Sequence, residues 1–162
     1  MAQTSITANP AVAVAGTFAT GTATPLNTRS LEAAETITVG KFVVVTADDS
    51  STCELPDATG EVTGGRTVGI ALRPASGATS YASGETVTIG TNGEFWVVAE
   101  DTGVIAGINP FVRFADAGTY GLGSIRVDAD TSDAVALPNA VVTSDTVSAG
   151  DLVRVWINGP FV

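Results

Sequence analysis

The chain has no histidine, the side chain used most often for acid–base catalysis and metal binding near neutral pH. A serine triad in its usual form is thereby excluded. There is one cysteine, Cys53, so no disulfide can form within the chain. Cys53 also lacks a histidine base, and a buried structural thiol is expected rather than a nucleophile. Basic residues are scarce, with 7 Lys and Arg against 17 Asp and Glu. This balance argues against naked nucleic acid as a partner, because affinity for it comes mainly from neutralised phosphates. The acidic excess favours solubility and keeps free copies apart. No apolar run reaches the roughly 18 residues of a membrane-spanning helix. The start, MAQTSITANP, lacks the basic region of a secretory signal.

Ala, Val, Thr and Gly dominate what is there, and hydrophobic residues make up 44 % of the 162. Branched residues, abundant turn formers and little Leu or Lys predict β structure. The expected fold is all-β: a single small β-barrel or β-sandwich of short strands over residues 31–162, with an extended N-terminal arm over residues 1–30. The arm is Ala/Thr/Gly-rich, interrupted by Pro10 and Pro25, and is expected to order only against a neighbour. Ser30 and Leu31–Glu35 suggest a capped helical turn, and Asp57–Gly65 a loop. Arg66–Arg73 alternates as a half-buried strand. Thr91-Asn92-Gly93 reads as a hairpin turn. Glu94–Glu100, apolar on both faces, is expected to be central or buried at a subunit contact.

One pattern occurs three times. In ITVGKFVVV, in Val104–Phe114 and in VSAGDLVRVW a glycine (Gly40, Gly107, Gly150) precedes an apolar strand. The unequal spacing excludes a solenoid. The pattern predicts a tight turn feeding a buried strand, with glycine supplying backbone angles other residues resist.

Signals for chemistry are weak. Asp128, Asp130 and Asp133 lack the glycine bend and distant glutamate of an EF-hand, and no metal or cofactor is expected. Glu94, Glu100 and Asp101 carry no spacing that identifies a catalytic pair, and no lysine follows Gly60–Gly65 to make a phosphate cradle. No catalytic residues are expected. A carbohydrate-binding or adhesin-like module is the alternative, with Trp96, Trp156, Tyr81 and Tyr120 as its aromatic platform. A β-sandwich hydrolase is the weakest reading.

Arg113 and Arg154 stand out because each follows a Val within a glycine–strand unit and neighbours aromatics. On the last strand Val153, Val155 and Ile157 share one face, and Leu152, Arg154 and Trp156 the other. Phe111 and Arg113 repeat that arrangement. Leu and Trp together on a solvent face are unusual in a monomer. These five residues (Phe111, Arg113, Leu152, Arg154, Trp156) are therefore expected to form a subunit interface.

With these units in view, the chain resembles the bacteriophage capsid decoration proteins called structural cement proteins. The resemblance is carried by NPAVAVAGTFAT, ITVGKFVVV and Gly69-Ile70-Ala71, and most strongly by GEFWVVAEDTGVIAGINPFVRFADAG and GSIRVDADTSDAVALPNAVVTSDTVSAGDLVRVWING. It runs in order over nearly the whole chain. It implies a non-enzymatic virion protein on the outer surface of the capsid, made in the bacterial host cytoplasm. The implied partners are the major capsid protein and further copies of itself, as a homotrimer.

Overall fold

The computed structural model describes residues 14–19, 27–63, 66–100, 106–115, 120–126, 133–137, 139–144 and 148–158. Its framework is a closed five-stranded barrel. The strands are β1 (Asn27–Ala33), β3 (Phe42–Val45), β4 (Thr52–Glu54), β5 (Thr67–Ala71) and β7 (Thr86–Val98). They pair in the order β1-β4-β3-β5-β7, and β7 returns to β1 to close the ring. Two further strands, β11 (Ala140–Val142) and β12 (Leu152–Asn158), extend the sheet beyond β7. A three-stranded sheet is built from β8 (Phe111–Arg113), β9 (Ile125–Arg126) and β10 (Ala134–Ala136), and a two-stranded one from β2 (Ile37–Thr38) and β6 (Ser80–Tyr81).

The 13-residue β7 organises these parts. Its first half pairs with β1 and β5, and its second half with β12. Val87, Ile89, Phe95, Val97 and Ala99 all point inward, yet they enter two different cores. Val87 and Ile89 fill the barrel with Leu31, Ala33, Val43, Cys53 and Ala71. Phe95, Val97 and Ala99 join Phe42, Ile70, Val112, Ile125 and the inner face of β12. The strand bends at its middle to serve both. Strand β3 likewise gives Val43 to one core and Phe42 to the other. That is why its sequence reads as an unbroken apolar run.

The bend lies where the sequence suggests a hairpin. Asn92-Gly93 does not reverse the chain: β7 runs through it. Asn92 faces Asn27 of β1 and Asn158 of β12, so it is the residue at which partners change. Gly93 has φ 132° there. Glycine's freedom is used to turn the strand. The bend brings the Phe95 ring back over Gly90, where a Cβ would lie 2.4 Å from the ring.

Two other expectations fail. Leu31–Glu35 is no helical turn; residues 31–33 complete β1, because five residues cannot nucleate a helix against a full antiparallel partner. Conversely, Thr59–Thr63 within the expected loop is a one-turn helix, α1. The Glu61 carboxylate accepts from Asp57 N at 2.8 Å and Ala58 N at 3.2 Å, satisfying free donors before that turn.

Part of the expected arm is seated on its own chain. Gly16 N donates to Trp96 O at 2.9 Å, Trp96 N to Thr17 O at 3.0 Å, and Ala19 N to Glu94 O at 3.0 Å. Residues 14–19 thus line the edge of β7 opposite β12. Residues 27–30 open β1.

The three glycine units hold. Gly40, Gly107 and Gly150 have φ of 76°, 93° and 89°, each in a turn ahead of its strand. Their surroundings differ. A Cβ at Gly107 meets nothing, whereas one at Gly40 would stand 2.7 Å from Ala15 Cβ. Gly107→Ala is therefore expected to cost about 1–2 kcal/mol, the conformational term alone, and Gly40→Ala distinctly more. Equal losses in urea denaturation would contradict this.

Candidate functional site

The alternation of β12 produces two unlike faces. Val153, Val155 and Ile157 are fully buried, while Leu152, Arg154 and Trp156 are half-buried on the other side. Antiparallel register sets Leu152 opposite Val98, Arg154 opposite Trp96, and Trp156 opposite Glu94. On the far side of β12, Val141 of β11 faces Trp156 and is 37 % exposed. The outward side of β7–β12–β11 thus presents two tryptophans, Leu152, Val98 and Val141 around a single arginine.

The Arg154 guanidinium lies over the Trp96 ring, 6.0 Å from its centroid. Its Nη1 is 3.7 Å from Glu94 Oε1, and its Nη2 donates to Thr143 O at 3.3 Å. Thr143 Oγ1 also donates to Glu94 Oε1. These contacts hold the arginine upright without enclosing it, since 36 % of its side chain stays exposed. Such a platform can place a charged, hydrogen-bonding group at the middle of an apolar contact.

Phe111 and Arg113 lie in the other sheet, so the five residues expected at an interface fall into two groups. Phe111 is half-buried. Arg113 is 8 % exposed and is directed at Glu100. Its Nε donates to Glu100 Oε2 at 2.6 Å and its Nη2 to Oε1 at 2.7 Å, a bidentate pair. Ser124 Oγ donates to Oε2 at 2.8 Å, and Arg126 Nε stands 3.0 Å from Oε1. Asp133 Oδ2, the described member of the acidic turn, is 3.8 Å from Arg113 Nη1; Asp128 and Asp130 lie outside the described residues. Burial pushes the Glu100 carboxyl up, but hydrogen bonds from Arg113 and Ser124 and the charges of both arginines outweigh it, holding the group below its usual range. Sequence spacing offered no sign of this network, because Glu100, Arg113, Ser124 and Arg126 come from separate elements.

Other candidates are accounted for structurally. Cys53 is buried, and that burial pushes its thiol up to about 11, far from a reactive thiolate. Tyr81 is 5 % exposed and its hydroxyl donates to Leu72 O at 2.7 Å, so it is unavailable to a sugar platform. No grouping of three His, Cys, Asp or Glu suited to a metal occurs among the described residues.

Comparison with known proteins decides the family. A family model described as structural cement protein (E217 gp24/Pam3 gp6) matches residues 2–158. The chain belongs to the structural cement protein family. It is a structural protein of the bacteriophage virion, located at the capsid, where cement proteins associate with capsid proteins. Its fold is shared with a chain from the capsid of Myoviridae phage XM1, with TM-score 0.70 and 17 % identity, covering 99 % of this chain and 98 % of that one. The N base of head fiber gp8.5 from bacteriophage phi29 is more remote, with TM-score 0.45 and 11 % identity over 83 % of this chain and 95 % of that one. None of the curated proteins compared with the chain matches it. The role of a cement protein is structural.

Proposed function

We propose that this protein binds the outer face of the phage head and stabilises contacts between neighbouring major capsid protein subunits, without catalysing a reaction. The observation that carries this reading is the outward face of β7–β12–β11, with Trp96, Trp156, Leu152 and Val141 around Arg154. A ligand that binds only the assembled shell stabilises that state by mass action. Many copies multiply a modest contact. A homotrimer adds avidity, so each contact is effective below the roughly 1,600 Å² of an independent stable interface. Leu152, Arg154 and Trp156 are central to the contact, and Phe111, half-buried on β8, is a further candidate for it; Arg113 is engaged with Glu100 of its own chain.

Burying Trp156 against a partner contributes about 2–3 kcal/mol, and Arg154 adds direction more than net energy. Trp156→Ala and Arg154→Ala are therefore expected to weaken binding to assembled heads, by about 30-fold or more for Trp156→Ala. Melting of the isolated protein should stay near wild type for Arg154→Ala. Cosedimentation with heads and analytical ultracentrifugation check both. Unchanged binding by both variants, with only Trp156→Ala melting earlier, would place the contact elsewhere.

A further inference from the structure

The small sheet is fastened to the barrel through the loop Tyr120–Ser124. Phe42 N donates to Gly123 O at 3.0 Å, and Gly123 N to Arg113 O at 2.9 Å. Ser124 Oγ, whose proton goes to Glu100, also lies 2.7 Å from Gly121 O. The fit is close: a Cβ at Gly123 would stand 2.5 Å from Phe42 O. Lys41 lies beneath this loop, only 5 % exposed, and its Nζ donates to Tyr120 O. Among the described residues the charged groups that act on it are Glu100, just after β7, and Arg113 of β8. Behind them stand Arg126 of β9 and Asp133 ahead of β10, on Glu100 and Arg113 respectively. Lys41 therefore shares the Glu100 charge with two guanidinium groups that already bind it directly.

We propose that Lys41 makes the Tyr120–Ser124 loop a proton-operated latch, in which a charged Nζ favours lifting of the loop and a neutral Nζ favours its closure. An ammonium carries three donors and demands hydration. Among the described residues, the acceptor for it under the closed loop is the Tyr120 carbonyl, and a guanidinium lies nearby. Water reaches the charge when the loop lifts. A neutral amine still donates to Tyr120 O and loses little by staying dry. Burial is the main cause of the shift that lowers Lys41 from 10.5 to about 8; Glu100 opposes it and Arg113 reinforces it. Because the closed-state value lies below the ordinary one, the open loop binds the proton more tightly. Closure is therefore weakest below pH 8, strengthens between pH 8 and 10.5, and is constant above that. The latch adjoins the turn that leads into β12: the Tyr120 ring lies against Gly150, whose N donates to Ala99 O.

Amide hydrogen exchange on the full chain tests this. After correction for intrinsic exchange, protection of the Phe42 and Gly123 amides is expected to rise about tenfold from pH 7 to pH 9. In Lys41→Met the same amides should show no such rise. No pH dependence in the wild type, or an equal slope in the Met variant, would overturn the latch. Titration of the Lys41 ¹³Cε resonance in the wild type provides a test that does not depend on the variant folding. A midpoint near pH 8 supports the proposal, and one at the ordinary lysine value overturns it.

Discussion

Glu100→Ala will destabilise the isolated protein by about 3–5 kcal/mol, the cost of removing one partner from a buried ion pair. The carboxylate accepts from Arg113 and Ser124 and faces Arg126. Without it, two guanidinium groups remain in a site with little access to water. For a chain of this size the melting temperature should drop by about 10 °C. The double variant Glu100→Met with Arg113→Met should lose less than the sum of the single changes, because it removes the uncompensated charge along with its partner. Acid should act in the same direction. The folded value of Glu100 is lowered from 4.5, so its contribution is fully present above pH 4.5 and is lost as pH falls through the folded value. A change below 1 kcal/mol for Glu100→Ala in urea denaturation would show that the network does not fasten the small sheet.

The second large effect is expected at Gly69. A Cβ there would lie 2.0 Å from Gly90 O, across the β5–β7 pairing of the barrel. The obstacle is backbone, which has no rotamer to change. The register of β3 against β5 also shifts beside this residue, between Val43 and Val44. Gly69→Ala must push the two strands apart or break the ladder, and should cost 4 kcal/mol or more, in the range reserved for severe steric or backbone failures. Gly77→Ala is the control, since a Cβ there meets nothing and the strain of φ 80° is its main cost. Circular dichroism and urea titration of the two variants compare them. Similar stabilities would contradict the close approach.

Much of this architecture was legible from residue order, for reasons that differ by element. Alternation on β12 identified its inner and outer faces correctly, because a period of two survives whatever lies opposite. The glycine–strand units predicted left-handed turns at Gly40, Gly107 and Gly150, since few other residues tolerate that conformation. The Asn92-Gly93 signal misled because local turn preference competes with pairing on both edges, and here β1 and β12 hold the strand extended. Arg113 stands out in the sequence, but its intrachain partner is not legible there. Its partner Glu100 is 13 residues away and comes from another sheet, and only the fold brings them together. The make-up of the outward face of β7–β12–β11 needed the register between β7 and β12, which sequence alone did not supply.

The central claim is that this protein decorates the phage head through the outward face of β7–β12–β11. A reconstruction of purified heads by electron cryomicroscopy tests it most directly. The account predicts density for the barrel on the outer capsid surface, bridging major capsid protein subunits, with Trp156 and Arg154 against a neighbouring chain. Absence of that density from the head surface, or a β7–β12–β11 face turned to open solvent, would contradict it.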